Sequence, residues 1–272
     1  MADGHGANPE KQVVPPGRPK RLAVSIRRMR LWHTRTVWEN LAREDPYWAV
    51  LTDPDKSGNR WQADEFFATG VGDVRTSIDH IRTHCPHLPT GRVIDFGCGV
   101  GRLSQALADH FDEVVGVDVS AGMLELAQRH NRHGDRVRYV HNPASHLRAW
   151  PDDSFDLVFS LITLQHVPPA LSRRYLREFV RICRPGGAIW FQLTATNPPV
   201  GRRRFSWYPP THWQRFKRWL VRIAGREGMS MNAIPRSEVE ALLAAAGAEL
   251  LEVSPHHPAD GLQSWYYLAR KC

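Results

Sequence analysis

The 272-residue sequence predicts an α/β fold: a doubly wound, mostly parallel, seven-stranded sheet with helices on both faces and an N-terminal helical cap. Short apolar segments alternate with segments of helical period along most of the chain, as in parallel α/β proteins. A glycine-rich loop, "DFGCGVG", follows the first predicted strand directly. The longest apolar runs, such as residues 157–164, are much shorter than the roughly 20 residues that span a membrane.

The N-terminal third favours helices. Residues 1–20 are rich in proline, glycine and charge, which indicates a disordered basic tail. Apolar residues at spacings of three and four predict a helix over residues 21–51. These residues are Ile26, Met29, Trp32 or His33, Val37 and Leu41. A loop at 53–60 and a second helix over 62–84 complete a predicted cap, residues 21–90.

Residues 91–272 carry the predicted sheet as one domain. Apolar segments bounded by turn residues predict strands at 92–96, 113–119, 136–141, 155–161, 188–194, 248–253 and 263–270. Helical patterns lie between most of them, at 101–110, 120–131, 169–183 and 236–246. Such crossovers join parallel strands and cover both faces of a sheet. A basic, aromatic insertion at 197–232 interrupts this domain.

Positive charge is concentrated in two segments. The net charge is +8, and residues 11–38 and 201–226 each hold eight lysines or arginines and no acid. This segregation favours an anionic partner, such as a phosphate, a lipid surface or nucleic acid, and equally fits a solvated face. Neither segment contains an RNA-recognition motif, which argues against nucleic acid.

The cysteines and the N-terminus favour a cytoplasmic protein with free thiols. The N-terminal segment lacks the apolar core preceded by basic residues that is typical of a secretory signal. The sequence contains no C-x-x-C pair, which argues against both a disulfide framework and a zinc site. The cysteines are Cys85, Cys98, Cys183 and Cys272. We expect no metal site, because the closely spaced histidines lack ligand spacing. These histidines are His130, His133, His256 and His257.

The glycine loop lies where the first strand meets a helix N-terminus, so backbone N–H groups face whatever binds there. A dinucleotide-binding loop has the spacing G-x-G-x-x-G or G-x-G-x-x-A. Here Gly97, Gly99 and Gly101 alternate, and Asp95 stands two residues before them. This spacing counts against NAD.

Four motifs in order over residues 91–195 resemble class I S-adenosylmethionine (SAM) dependent methyltransferases. They are "VIDFGCGVG", "VVGVDVS", "FDLVFSLITLQHV" and "RPGG". The flanking segments 45–70 and 235–253 resemble a bacterial subgroup of small-molecule and sugar methyltransferases. The resemblance implies a Rossmann-like methyltransferase fold with SAM as cofactor.

The resemblance also implies a cofactor site. Asp118 ends the second strand, where a carboxylate can accept hydrogen bonds from both ribose hydroxyls. Asp95 can help hold the ammonium group, since a buried carboxylate without a cation is costly. Met123 is placed under the adenine or else in the core, and Asn142 stands where the family often has an acid. The predicted cofactor-binding residues are Asp95, Gly97, Cys98, Gly99, Gly101, Asp118, Val119, Met123, Asn142, Trp61 and Phe67.

Two segments are candidates for covering the site. Residues 54–70, with Trp61 and Phe67, either close over bound SAM or dock the N-terminal helix on the sheet. The basic insertion has three interpretations: a lid over a sugar or phosphorylated acceptor, an amphipathic stretch at 211–226 that contacts an anionic membrane, or surface packing.

His166 is the predicted catalytic residue. It follows the fourth strand at the carboxyl edge of the sheet, where an imidazole can take the proton of an acceptor hydroxyl. Alternatively, it anchors its own loop through a backbone hydrogen bond. We expect methyl transfer to a hydroxyl of a small acceptor, with a carbohydrate or glycoside as first choice. The alternatives are a phenolic, quinone-like or amine metabolite and, in another class, a nucleic-acid-binding protein that uses the basic segments.

Overall fold

The structure is a computed structural model that describes residues 1, 20–195, 229, 231–256 and 263–272. Apart from its two ends, the predicted tail 1–20 lies outside these residues. Most of the predicted insertion 197–232 also lies outside them, including the stretch 211–226 for which membrane contact was considered. Within the described parts of the chain, every helix falls short of the length and apolar character needed to cross a bilayer.

The described residues form seven α-helices and seven strands. The helices are α1 (Lys20–Glu44), α2 (Pro46–Val50), α3 (Ala63–His84), α4 (Arg102–Leu107), α5 (Ala121–Arg129), α6 (Pro169–Ile182) and α7 (Arg236–Ala245). The strands are β1 (Arg92–Phe96), β2 (Glu113–Asp118), β3 (Val137–His141), β4 (Phe155–Ser160), β5 (Cys183–Thr194), β6 (Ala248–His256) and β7 (Ser264–Lys271).

All seven strands form one sheet in the order β3-β2-β1-β4-β5-β7-β6. Strand β7 runs antiparallel to β5 and β6, whereas the pairs from β3 to β5 are parallel. The predicted mostly parallel, seven-stranded fold is confirmed. The chain winds outward from β1 through β2 to β3 and returns to β4 on the other side of β1. Ligands in open α/β sheets bind at the carboxyl ends of the strands beside such a reversal.

Helices cover both faces of the sheet because successive strand residues point to opposite sides. In β1, Ile94 belongs to the apolar core under α6 and α7, and Val93 belongs to the core under α3 and α4. Ile78 of α3 is buried in this second core. Helix α3 therefore shares the core of the sheet, while the division into a cap and a catalytic domain stays a prediction.

The helix predicted over 21–51 is two helices. Proline has no N–H for an intrahelical hydrogen bond, and the break falls directly before Pro46. The Asp45 carboxylate accepts hydrogen bonds from the N–H groups of Trp48 (3.4 Å) and Gly58 (2.7 Å), which caps α2 and holds the following loop. In the predicted apolar stripe of α1, Val37 is buried. At the position predicted as Trp32 or His33, Trp32 is 58% exposed, whereas His33 is partly buried.

All four cysteines lie among the described residues, and all are free thiols, as predicted. Cys85, Cys98 and Cys183 are buried, whereas Cys272 is exposed. Burial raises the pKa of the Cys98 and Cys183 thiols. These two cysteines therefore stay protonated and pack as small apolar side chains.

Candidate cofactor and active site

A cavity opens at the carboxyl edge of the sheet, between the strand ends and helices α1 and α2. It contains about 800 Å³ of empty space, part of it open to solvent. Its wall contains six of the predicted site residues: Gly97, Gly99, Asp118, Val119, Asn142 and His166. They meet because parallel strands end at one edge of the sheet.

The glycines of the loop are required by protein contacts. Gly97 and Gly99 have φ angles of 79° and 53°, in the left-handed region that favours glycine. A Cβ on Gly97 would lie 2.1 Å from Cγ2 of Thr163, and one on Gly101 would lie 2.3 Å from the Tyr139 hydroxyl oxygen. These contacts are a second reason for glycine at positions 97 and 101, and obstruction of the cofactor by a Cβ there stays a prediction. A side chain there would first strike the loop after β4 or the side chain from β3.

Asp118 lies at the cavity wall with both carboxylate oxygens oriented by the backbone. Oδ2 accepts a hydrogen bond from the N–H of Gly99 (2.9 Å), and Oδ1 accepts one from Ser120 (2.8 Å). Burial raises the pKa of Asp118, and these hydrogen bonds oppose the rise. The Ser120 hydroxyl caps α5 by accepting from the N–H of Met123 (3.2 Å), so Asp118 is not needed as the cap.

Asn142 also lines the cavity, but its side chain is engaged in its own loop. Its Oδ1 accepts a hydrogen bond from the N–H of Ala144 (3.2 Å), and its Nδ2 donates to the carbonyl of His146 (3.0 Å). The backbone N–H of Asn142 donates to the Asp118 carbonyl (2.9 Å). An adenine contact through the Asn142 amide would have to compete with these hydrogen bonds.

Asp95 lies beneath the glycine loop and outside the cavity wall, with 1% of its surface exposed. Ser104 donates a hydrogen bond to its Oδ2 (2.6 Å). Burial raises the pKa of Asp95 to about 6, although the Ser104 hydrogen bond and the charge of Arg102 lower it. Any effect of Asp95 on an ammonium group in the cavity would act through the loop.

Five other residues predicted to bind the cofactor do not reach the cavity wall; they are Cys98, Gly101, Met123, Trp61 and Phe67. Met123 is fully buried, and Phe67 nearly so, in an apolar cluster against which Trp61 packs. The same cluster includes Ala49, and Val50 packs against it. Both of these α2 residues line the cavity. Trp61 and Phe67 of segment 54–70 thus pack in the cluster that contains the α2 residue Ala49, as the docking alternative expects. Closure of this segment over SAM stays a prediction.

Helix α1 supplies a wall of the cavity that the sequence analysis missed. Leu31, Thr34 and Trp38 line it from one face of the helix, at spacings of three and four. The predicted stripe lay on a neighbouring face of the same helix. Thr163 and Tyr175 also line the cavity and were not predicted. The Tyr175 hydroxyl donates a hydrogen bond to the Ala144 carbonyl (2.8 Å), which fixes its position. The helical spacing of Leu31, Thr34 and Trp38 is the signal that could have found the α1 wall.

His166 lies on the cavity wall at the end of a short 3₁₀ turn, Leu164–His166, and is nearly buried. Its ring packs edge-on against Trp38, with centroids 5.4 Å apart, and its Nε2 lies 3.2 Å from Nε2 of Gln165. Its backbone N–H donates to the Thr163 carbonyl (2.9 Å). His166 thus closes its turn through its backbone and lines the cavity, while the role of its imidazole stays a prediction.

A buried polar network fixes the loop that carries His166. Gln192 of β5, 2% exposed, accepts a hydrogen bond from the N–H of Ile162 (3.0 Å) and donates to Oε1 of Gln165 (3.1 Å). It also donates to the Ser264 hydroxyl of β7. Ile162 has a φ of 59°, a strained conformation for a β-branched residue, which persists only where its surroundings enforce it. Gln192 supplies one such constraint.

Residues 93–187 match the model of a family described as a methyltransferase domain. The matched segment runs from β1 into β5 and includes the glycine loop, Asp118 and His166. Together with the sheet order, the match identifies this part of the chain as a class I SAM-dependent methyltransferase domain. The family predicted from the four motifs is confirmed.

Two curated relatives are similar to part of the chain. One is the demethylmenaquinone methyltransferase of Clavibacter sepedonicus, 39% identical over 118 residues, which cover 43% of this chain and 47% of the relative. The other is the ubiquinone biosynthesis O-methyltransferase of Pseudomonas fluorescens (strain SBW25), 36% identical over 108 residues, which cover 39% and 46%. The chain spans about half the length of the curated relatives it matches.

A solved structure extends the likeness of fold to most of the chain. It is the magnesium protoporphyrin IX methyltransferase of Synechocystis PCC 6803 with bound SAM. The match has a TM-score of 0.57 and 15% identity, and it covers 88% of this chain and 97% of that one. At this identity the comparison shows a shared fold.

Proposed function

We propose that the protein transfers a methyl group from SAM to a hydroxyl of a small aromatic acceptor of the phenol or quinol type. One observation carries the proposal: Asp118 and the glycine loop share a single cavity with His166 and an apolar, aromatic wall. SAM and the acceptor would therefore bind side by side in the same cavity.

The residues at the strand ends fit SAM as cofactor, which supplies an electrophilic methyl group on a positively charged sulfur. Asp118 would hold the ribose diol, because each carboxylate oxygen keeps accepting capacity beyond its one backbone hydrogen bond. Val117 and Val119 offer apolar surface beside Asp118 for the adenine ring of SAM. The bare backbone at Gly97 and Gly99 leaves room along the loop.

The wall of the cavity is predominantly apolar. Its lining includes Leu31, Trp38, Phe96, Leu161, Ile162, Val167 and Tyr175. Among the lining residues that the structure describes, none is a lysine or arginine to pair with a phosphate. An aromatic ring suits such a wall better than a sugar, whose several hydroxyls would face mostly apolar side chains. The names of the two quinone-pathway relatives favour the same alternative over a carbohydrate.

His166 would act as the general base. Its imidazole would take the hydroxyl proton while the acceptor oxygen becomes the nucleophile, and the edge-on contact with Trp38 would hold the ring in place. The Gln192 network would keep the loop, and therefore the imidazole, in position. The wall of α1 would exclude water from the reacting atoms.

The acceptor class is tested by incubating the protein with SAM that carries a deuterated methyl group and with paired acceptors. One acceptor is an alkylated hydroquinone or catechol, and the other is an alkyl glycoside of similar size. Mass spectrometry should find the label on the phenolic oxygen, with little or none on the glycoside. Preferential labelling of the glycoside would refute the aromatic acceptor, and no labelling of either would refute the proposed chemistry. Asp118→Ala serves as the cofactor-deficient control.

A further inference from the structure

Helix α3 and strand β6 bring two histidines and a carboxylate together outside the cavity wall. His80 and His84 are four residues apart, so they lie on one face of α3. Glu252 of β6 points at both: its Oε2 lies 2.6 Å from Nε2 of His80 and 3.2 Å from Nε2 of His84. All three ligand atoms lie within 4.8 Å of one another.

The contact between His80 and Glu252 is not an ordinary hydrogen bond. Both Nε2 of His80 and Oε2 of Glu252 are inaccessible to solvent, and neither has a hydrogen bond of acceptable geometry despite their separation of 2.6 Å. The two atoms are therefore close together without a hydrogen bond between them. A cation bound by both would satisfy them, and buried polar atoms without a partner are otherwise costly.

Neighbouring groups hold the histidine rings in an orientation suited to a metal. Nδ1 of His84 lies 3.4 Å from the carbonyl of His80, close to the position in which metal-bound histidines donate their second N–H. The His80 ring packs against Trp190 with centroids 5.3 Å apart, and Trp190 stacks on Tyr266 at 5.2 Å. These contacts restrict the rings before any ligand arrives.

The donor set selects the class of ion. We propose that His80, His84 and Glu252 bind a divalent transition-metal ion, with zinc the best match. Imidazole nitrogen with carboxylate oxygen suits zinc, whereas calcium and magnesium favour oxygen ligands alone. Zinc bonds of about 2.0 to 2.1 Å in tetrahedral geometry separate the ligand atoms by about 3.3 Å. The His84–Glu252 distance already agrees, and the His80–Glu252 distance requires a small side-chain opening.

The site would link two elements that are distant in sequence. About a third of each of the three side chains is exposed, although Nε2 of His80 and Oε2 of Glu252 are themselves covered. None of the three residues lines the methyl-transfer cavity. Bound metal would therefore stabilise the packing of α3 on the edge of the sheet, independently of SAM.

Zinc titration calorimetry on the full chain, stripped with chelator and free of added tags, tests the site. The wild-type protein should bind one zinc ion in a phase that Glu252→Gln and His84→Asn each weaken by at least about 100-fold, since even outer-shell partners contribute about 10- to 100-fold. His87→Asn, an exposed histidine three residues along, is the matched control and should keep the phase. Zinc should also raise the unfolding temperature of the wild type and of His87→Asn only.

A second readout keeps the proposal testable if a variant folds poorly. Cobalt added to the wild-type protein should produce the visible absorption of a tetrahedral nitrogen and oxygen site, and zinc should displace it. Equal zinc affinity in the wild type and in a folded Glu252→Gln variant would overturn the assignment. Absence of both zinc binding and cobalt absorption in the wild type would overturn it as well.

Discussion

Replacing Asp95 by asparagine should stabilise the cofactor-free protein near neutral pH. Burial raises the pKa of Asp95 from its ordinary value of 3.8 to about 6. A carboxyl group with a higher pKa in the folded state contributes stability below the unfolded pKa and loses it as the pH rises through the folded pKa. A difference of about 2 pKa units corresponds to about 3 kcal/mol lost between roughly pH 4 and pH 6.

Asparagine lacks this ionisation but keeps a carbonyl oxygen for the Ser104 hydroxyl. The pKa of about 6 already includes the stronger hydrogen bond that Ser104 makes to the charged carboxylate, and the amide replaces the neutral carboxyl group as an acceptor of similar strength. Asp95→Asn should therefore gain about 3 kcal/mol in the free energy of unfolding at pH 7.5 and only about 1 kcal/mol at pH 4.5. Urea unfolding at both pH values measures this, with the exposed Asp112→Asn as control. An equal difference between Asp95→Asn and wild type at the two pH values would show that the Asp95 pKa is not raised.

Three further substitutions test the active site and the loops around it. His166→Asn should keep SAM affinity while turnover falls by about 10² to 10⁴, the range for losing a general base; normal turnover with an unchanged pH–rate profile would remove His166 from that role. Gln192→Leu leaves the N–H of Ile162 unpaired, so it should lose about 1 to 3 kcal/mol of stability and lower kcat more than SAM affinity. Unchanged kcat would refute the positioning role. In urea unfolding, Gly97→Ala should lose about 1 to 3 kcal/mol more than Gly134→Ala, because both have positive φ but only Gly97 faces a steric clash. Equal losses would contradict this explanation.

The fold and the strand-end residues were predictable because their signals are local. Each predicted strand is present, and Gly97, Gly99 and Asp118 reach one cavity because the parallel topology places strand ends at the same edge. The N-cap role of Ser120 was also predictable from its place before α5.

The wall of α1 and the contacts of the glycine loop were not predicted. Which face of α1 points into the protein depends on how the helix is rotated about its own axis, and the sequence does not give that rotation. The apolar stripe that includes Trp32 suggested a neighbouring face. The steric clash behind Gly97 depends on Thr163, 66 residues along the chain. Such long-range contacts leave no periodic pattern in the sequence.

The histidine pair on α3 shows a similar limit. The spacing of His80 and His84 is visible in the sequence, and the expectation of no metal site did not consider it. Glu252 arrives from β6, more than 160 residues away, and a register irregularity between Leu250 and Glu252 accompanies its position in the strand. A ligand set completed by tertiary structure cannot be found from one spacing alone.

Calorimetric titration with SAM measures whether this cavity is the cofactor site. Asp118→Ala should remain folded and bind SAM about 10- to 100-fold more weakly than wild type, since hydrogen bonds to a charged group contribute about 1.5 to 3 kcal/mol. The matched Asp112→Ala variant, at the opposite end of β2, should bind SAM as the wild type does. Unchanged SAM affinity in a folded Asp118→Ala protein would show that SAM does not bind at Asp118.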